Sequence, residues 1–187
     1  MNKNLFRLAG WSAILSAIAT IVGAVTLVIF FSVGDPYGKI NDVSSVIIGL
    51  TAILILFALY QIHRVSAPTV SLIAFLTGAV AMLIAAVLQA LLILSGTNFG
   101  TIVTVMFGVF GASLLTFNWL ANSNRTLPRA LAWTGIAAGL GYVLVTAGFL
   151  LGGPYDMLTY IGGAFSVIAY PVWGFWIGRI WLRNANG

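Results

Sequence analysis

The sequence predicts an all-α, polytopic membrane protein: a bundle of six transmembrane helices. Three observations predict it. The 187-residue chain is 61% hydrophobic and only 6% charged, whereas a soluble domain carries about 25% charged residues. Its apolar residues fall into six runs long enough to make the roughly 20-residue helix that crosses a bilayer. The breaks between the runs, "GDPYGKIND", "HRVSAP", "SGTNFG", "ANSNRTLP" and "GGPYD", hold turn and breaker chemistry and no soluble domain. The mean hydropathy of +1.10 agrees. An outer-membrane barrel is excluded, because its strands alternate over about 10 residues.

The first span is expected at about 8–33. A basic start precedes it, so a signal peptide is the competing reading. The run from Leu8 to Phe31 exceeds the roughly 7–15 residues of a signal h-region, and no small-x-small site follows, so it is read as a retained span. The other spans are expected at about 43–62, 70–94, 100–120, 130–151 and 157–182, all within a single transmembrane domain covering 1–187.

Lipid gives helices no hydrophobic drive to associate, so small residues that permit close approach matter. Span five carries Gly135-x-x-x-Gly139 and Gly148-x-x-x-Gly152, span six Gly174-x-x-x-Gly178, and span four Gly108-x-x-x-Ala112. Span one sets Ser12, Ser16, Thr20 and Ala24 along one face. These patterns predict a compact bundle. The first and last hairpins are candidate repeats: Trp11-Ser12 aligns with Trp133-Thr134, and Gly34-x-Pro36-Tyr37 with Gly152-x-Pro154-Tyr155. Both would run in the same direction, unlike the inverted repeats of many transporters.

Basic residues set the orientation. All of the 8 except Lys39 lie on one side of an even-numbered bundle, and all 3 acidic residues lie on the other. Both termini are therefore expected in the cytoplasm. The six Trp fall in the cytoplasmic halves of the spans, where an indole suits the headgroup boundary. The net charge of +5 is scattered over span ends and does not form the basic face that nucleic acid requires.

An ionisable residue deep in a membrane is a functional candidate by default, and the spans carry none. Proton pumps, ion-coupled carriers and intramembrane metal enzymes lose weight accordingly. With 0 cysteines and 1 histidine, no metal site and no cofactor are expected. His63 adjoins Arg64 at a span end and is read as interfacial. No nucleophile, base and orienting group can be assembled in one compartment.

Four uncharged polar residues are the candidate ligand-binding groups. Gln89 shares a helical face with Gly78, Met82, Ala85 and Ala86; the competing reading is an interhelical hydrogen bond worth roughly 0.6–2 kcal/mol. Tyr142 and Tyr170 lie near mid-depth, where a phenol needs a partner. Asn118 lies near a cytoplasmic end, where a headgroup or backbone contact competes. Pro171 interrupts span six and frees the Val167 carbonyl, which Ser166 is placed to satisfy. Asp42 and Asp156 are read as helix starts, where a carboxylate meets free N–H groups. Asp35 is read as a turn residue beside Lys39. A cation shared by all three is the alternative.

Three stretches resemble a family of small bacterial integral-membrane proteins with about six spans: "RLAGWSAILSAIATIVGAV", "GKINDVSSVIIGLTAILILFALYQIHR" and "RTLPRALAWTGIAAGLGYVLVTAGFLLG". The resemblance implies a multi-pass protein of the bacterial inner membrane. It carries over no activity and no catalytic motif.

Three functional readings follow. The first is a non-enzymatic protein that binds a lipid or apolar small molecule, or joins a larger membrane assembly. The second is a small transporter or channel for an uncharged or hydrophobic solute. The third is a lipid-modifying enzyme using His63. The expected surroundings are the lipid bilayer, an apolar ligand or a membrane-protein partner, and no nucleic acid.

Overall fold

The computed structural model describes residues 3–186 and contains six α-helices, each long and apolar enough to cross a membrane. They are α1 (Lys3–Val33), α2 (Tyr37–His63), α3 (Pro68–Ser95), α4 (Gly100–Asn124), α5 (Arg129–Gly152) and α6 (Met157–Asn186). A single 3₁₀ turn, Gly153–Tyr155, joins α5 to α6. No strand occurs among the described residues.

The turn residues end the helices as their chemistry requires. Gly34, Gly96 and Gly153 adopt φ values of 85°, 73° and 81°, which glycine reaches without a steric cost. Pro68 stands in the first turn of α3, where its missing N–H costs nothing. The Asp156 carboxylate accepts the Leu158 N–H at 2.8 Å and caps α6, as the sequence suggests.

Asp42 does not start a helix. The helix begins earlier, at Tyr37, so Asp42 lies more than one turn inside α2. The apolar run marks only the lipid-covered part of a helix that continues beyond it. The two Gly-x-Pro-Tyr turns also differ in register. The positive φ falls on Gly34 in the first, but on Gly153 in the second, one place after its aligned glycine.

Each helix packs against its neighbours in sequence, and α6 closes the ring on α1. The α2 and α4 backbones also approach each other, which leaves α3 outside a ring of five; α4 and α6 meet across that ring through their side chains. Glycine sets several of the contacts. A Cβ built on Gly178 of α6 would lie 2.7 Å from the Gly10 carbonyl of α1. One on Gly139 of α5 would lie 2.6 Å from the Gly111 carbonyl of α4. Large apolar side chains point outward instead: Val28, Phe31 and Leu151 are 69%, 75% and 78% exposed. Small residues inside and large ones outside suit a bundle whose solvent is lipid.

Tryptophan divides into two groups. Trp11, Trp119, Trp133 and Trp176 are exposed, as interfacial indoles would be. Trp173 and Trp181 are buried in the core, against the expectation that all six sit at the headgroup boundary. His63 is likewise fully buried, not interfacial, with its ring 6.0 Å from that of Phe117. The chain turns sharply after α2, and its last turn packs inward while Arg64 stays exposed.

Candidate ligand-binding cavity

The bundle has two unlike ends. One carries the α1–α2, α3–α4 and α5–α6 connections with Asp35, Asp42 and Asp156, and is here the acidic end. The other carries the remaining connections and most of the Lys and Arg, and is the basic end.

Among the described residues, the backbone of α1 approaches neither α4 nor α5 closely, and that of α2 does not approach α5. Toward the basic end the gap between them is filled by large side chains, including Phe117, Trp173 and Trp181. Toward the acidic end it is not. There an open cavity of about 260 Å³ lies between α1, α2, α4, α5 and α6. Its apolar wall includes Leu27, Ile48, Val103, Phe107 and Val145. Thr20, Asn41, Ser45, Thr104, Tyr142 and Ser166 set polar groups into that wall.

Aromatic rings close the floor. Tyr142 stacks on Phe107 with centroids 5.8 Å apart and meets Phe110 and Tyr170 edge-on at 5.5 and 5.6 Å. Tyr170 in turn stacks on Trp173 at 6.0 Å. Each buried polar tip has a partner. The Tyr170 and Ser16 hydroxyls share a hydrogen bond of 2.7 Å between α6 and α1. Trp173 Nε1 donates to Asn118 Oδ1 at 2.9 Å, and Asn118 Nδ2 donates to the Leu114 carbonyl at 2.8 Å. Gly135 of α5 lies directly against the Asn118 amide and leaves no space for a Cβ.

Of the four residues singled out from sequence, the structure brings only Tyr142 to the cavity wall. Tyr170 lies beneath it, fully buried. Asn118 is deeper still and holds Trp173. Gln89 is on α3, outside the ring, where its Nε2 donates to Asp42 Oδ1 at 2.7 Å. That is the interhelical bond weighed for Gln89, with a carboxylate as partner. Ser166 donates to the Gly163 carbonyl at 3.0 Å, not to the carbonyl that Pro171 frees.

Sequence reading missed Ser45 and Thr104 altogether, took Thr20 for a packing residue and took Ser166 for a partner of the backbone that Pro171 frees. The only available signal was one hydroxyl at similar depth in several spans, which gains meaning once the ring order is known. Among the described residues, no three His, Cys, Asp or Glu side chains, the three aspartates included, form a group that could hold a metal ion. Neither nitrogen of His63 has a hydrogen-bond partner, so no neighbour orients it as a base. No family model, curated protein or solved structure matches the chain.

Proposed function

We propose that this is a non-enzymatic, multi-pass protein of the bacterial inner membrane, with both termini in the cytoplasm. It binds a lipid or another apolar small molecule in the cavity at its acidic end. The carrying observation is the cavity itself: an open apolar hollow with a few polar groups in its wall and a floor of packed rings. Such concave, mostly apolar sites with sparse polar groups are where small molecules bind. The distribution of Lys and Arg supports the orientation, and the cavity then faces away from the cytoplasm.

Passage of a solute across the bilayer is the second reading. One observation favours it: side chains, not backbone, fill the central space between the cavity floor and the basic end. Uptake of a solute into sealed vesicles would separate transport from binding alone.

Native mass spectrometry after gentle extraction tests binding. The expected spectrum shows the chain with a retained small-molecule adduct, and Ala24→Trp, which fills the cavity from α1, loses it. A bare chain in the unsubstituted protein, or an adduct that persists in Ala24→Trp, would contradict the proposal. A protein partner in the spectrum would favour a subunit role instead.

A further inference from the structure

The chemical class of the ligand can be read from what the cavity wall has left to offer, given that the cavity is a ligand site. A serine or threonine hydroxyl has one hydrogen to donate and lone pairs to accept with. Four wall hydroxyls already spend that hydrogen on their own helices. Thr20 donates to the Ser16 carbonyl at 2.9 Å and Ser45 to the Asn41 carbonyl at 3.1 Å. Thr104 donates to the Gly100 carbonyl at 2.8 Å and Ser166 to the Gly163 carbonyl at 3.0 Å. These four hydroxyls thus have lone pairs, and no hydrogen, left to offer a ligand.

Charge at the cavity's edge points the same way, independently. Leu27 and Asn41 also line a second hollow of about 400 Å³ at the acidic end, between α1, α2 and the end of α3. Asp35, Lys39 and Asp42 line it. Two carboxylates against one ammonium leave it net negative. Gln89 fixes the Asp42 carboxylate through Oδ1. No Lys, Arg or His is among the residues lining the cavity proper. An anionic ligand would therefore meet mainly lone pairs and negative charge, with the Asn41 amide as a neutral donor and no cationic group to receive it.

We propose that the cavity takes an organic cation: a protonated amine on an apolar body. The body lies against Ile48, Val103, Phe107 and Val145. The ammonium hydrogens turn to the hydroxyl lone pairs, and its charge faces Asp42. Removing such a group from water is offset only where acceptors and an opposite charge replace its hydration. The cavity wall supplies the acceptors, and Asp42 in the adjoining hollow supplies the charge.

Three probes with one apolar body and different heads test the assignment: 4-phenylbutylamine, 4-phenylbutanol and 4-phenylbutyrate. Equilibrium binding is measured on the full chain in lipid nanodiscs, with empty nanodiscs and Ala24→Trp subtracting partition into lipid. The amine is expected to bind about tenfold tighter than the alcohol, and the carboxylate weakest of the three. In Asp42→Asn the amide oxygen still accepts from Gln89, so the α2–α3 contact persists. There the amine should lose its advantage while the alcohol binds as before. An alcohol or carboxylate that equals the amine, or an amine preference unchanged in Asp42→Asn, would overturn the assignment and leave the cavity as a ligand site. Binding of none of the three to the folded protein would overturn the cavity reading as well.

Discussion

Replacing Gly135 by leucine is expected to destroy the folded bundle. Gly135 lies where α5 crosses α4, directly against the Asn118 side chain, and a Cβ there overlaps the amide. The amide cannot simply swing away. Its oxygen accepts the Trp173 indole N–H at 2.9 Å and its nitrogen holds the Leu114 carbonyl at 2.8 Å, and both Asn118 and Trp173 are fully buried. Overpacking a core costs about 1–3 kcal/mol. Displacing Asn118 leaves the indole N–H unpaired for about 1–3 kcal/mol more. The sum is a large share of the roughly 5–15 kcal/mol that holds a typical protein together. Thermal unfolding of the extracted protein would show a much lower midpoint, or extraction would yield only aggregate. Gly163→Ala is the control. Nothing lies within 4 Å of a Cβ at Gly163, and alanine is the better helix former by about 1 kcal/mol, so that variant should be as stable as the parent or more so. Equal loss in both would mean that glycine matters here for some reason other than close packing.

The second large effect is expected at Gly162, and it joins packing to binding. A Cβ at Gly162 of α6 would lie 2.5 Å from the Val145 nitrogen and 2.6 Å from the Gly141 carbonyl of α5. The obstacle is backbone, which has no rotamer to change, so Gly162→Val must push α5 and α6 apart. Val145 and Ser166, on either side of this crossing, both line the cavity. The variant should lose about 1–3 kcal/mol of stability. It should also bind the phenylbutyl probes much more weakly, even at temperatures where it remains folded. Unaltered affinity in a destabilised protein would show that the α5–α6 wall does not shape the site.

The six helices were legible because apolar runs and turn residues are local signals. Close approach on α1 and α6 was legible too, from the small residues of α1 and Gly174-x-x-x-Gly178, but not that these two faces meet each other. Which way a residue faces was less legible. Trp173 and Trp176 lie on one helix only three positions apart, yet the first is buried and the second exposed. A tryptophan's preference for the headgroup region does not distinguish them. His63 was taken for interfacial because a charged neighbour follows it; the neighbour marks the end of α2 but not the direction of the ring. Tyr142 and Tyr170 were singled out alike for their depth, yet only Tyr142 reaches the cavity wall, so depth alone does not separate them. The cavity was not readable at all. It arises because α1, α4 and α5 surround a space that their side chains fill at only one end. That depends on ring order and residue size across five helices together, which no single stretch encodes.

The chain has 0 cysteines, so one introduced thiol reports without background, and Ser45 on the cavity wall is the place for it. The rate at which Ser45→Cys reacts with a polar maleimide, with and without saturating 4-phenylbutanol, tests the central claim that this hollow is an open ligand site. The account predicts reaction in the folded protein and marked protection by the alcohol, while Ile177→Cys, fully buried toward the basic end, stays unreactive. A Ser45→Cys thiol that reacts no faster than Ile177→Cys, or at a rate the alcohol leaves unchanged, would contradict it.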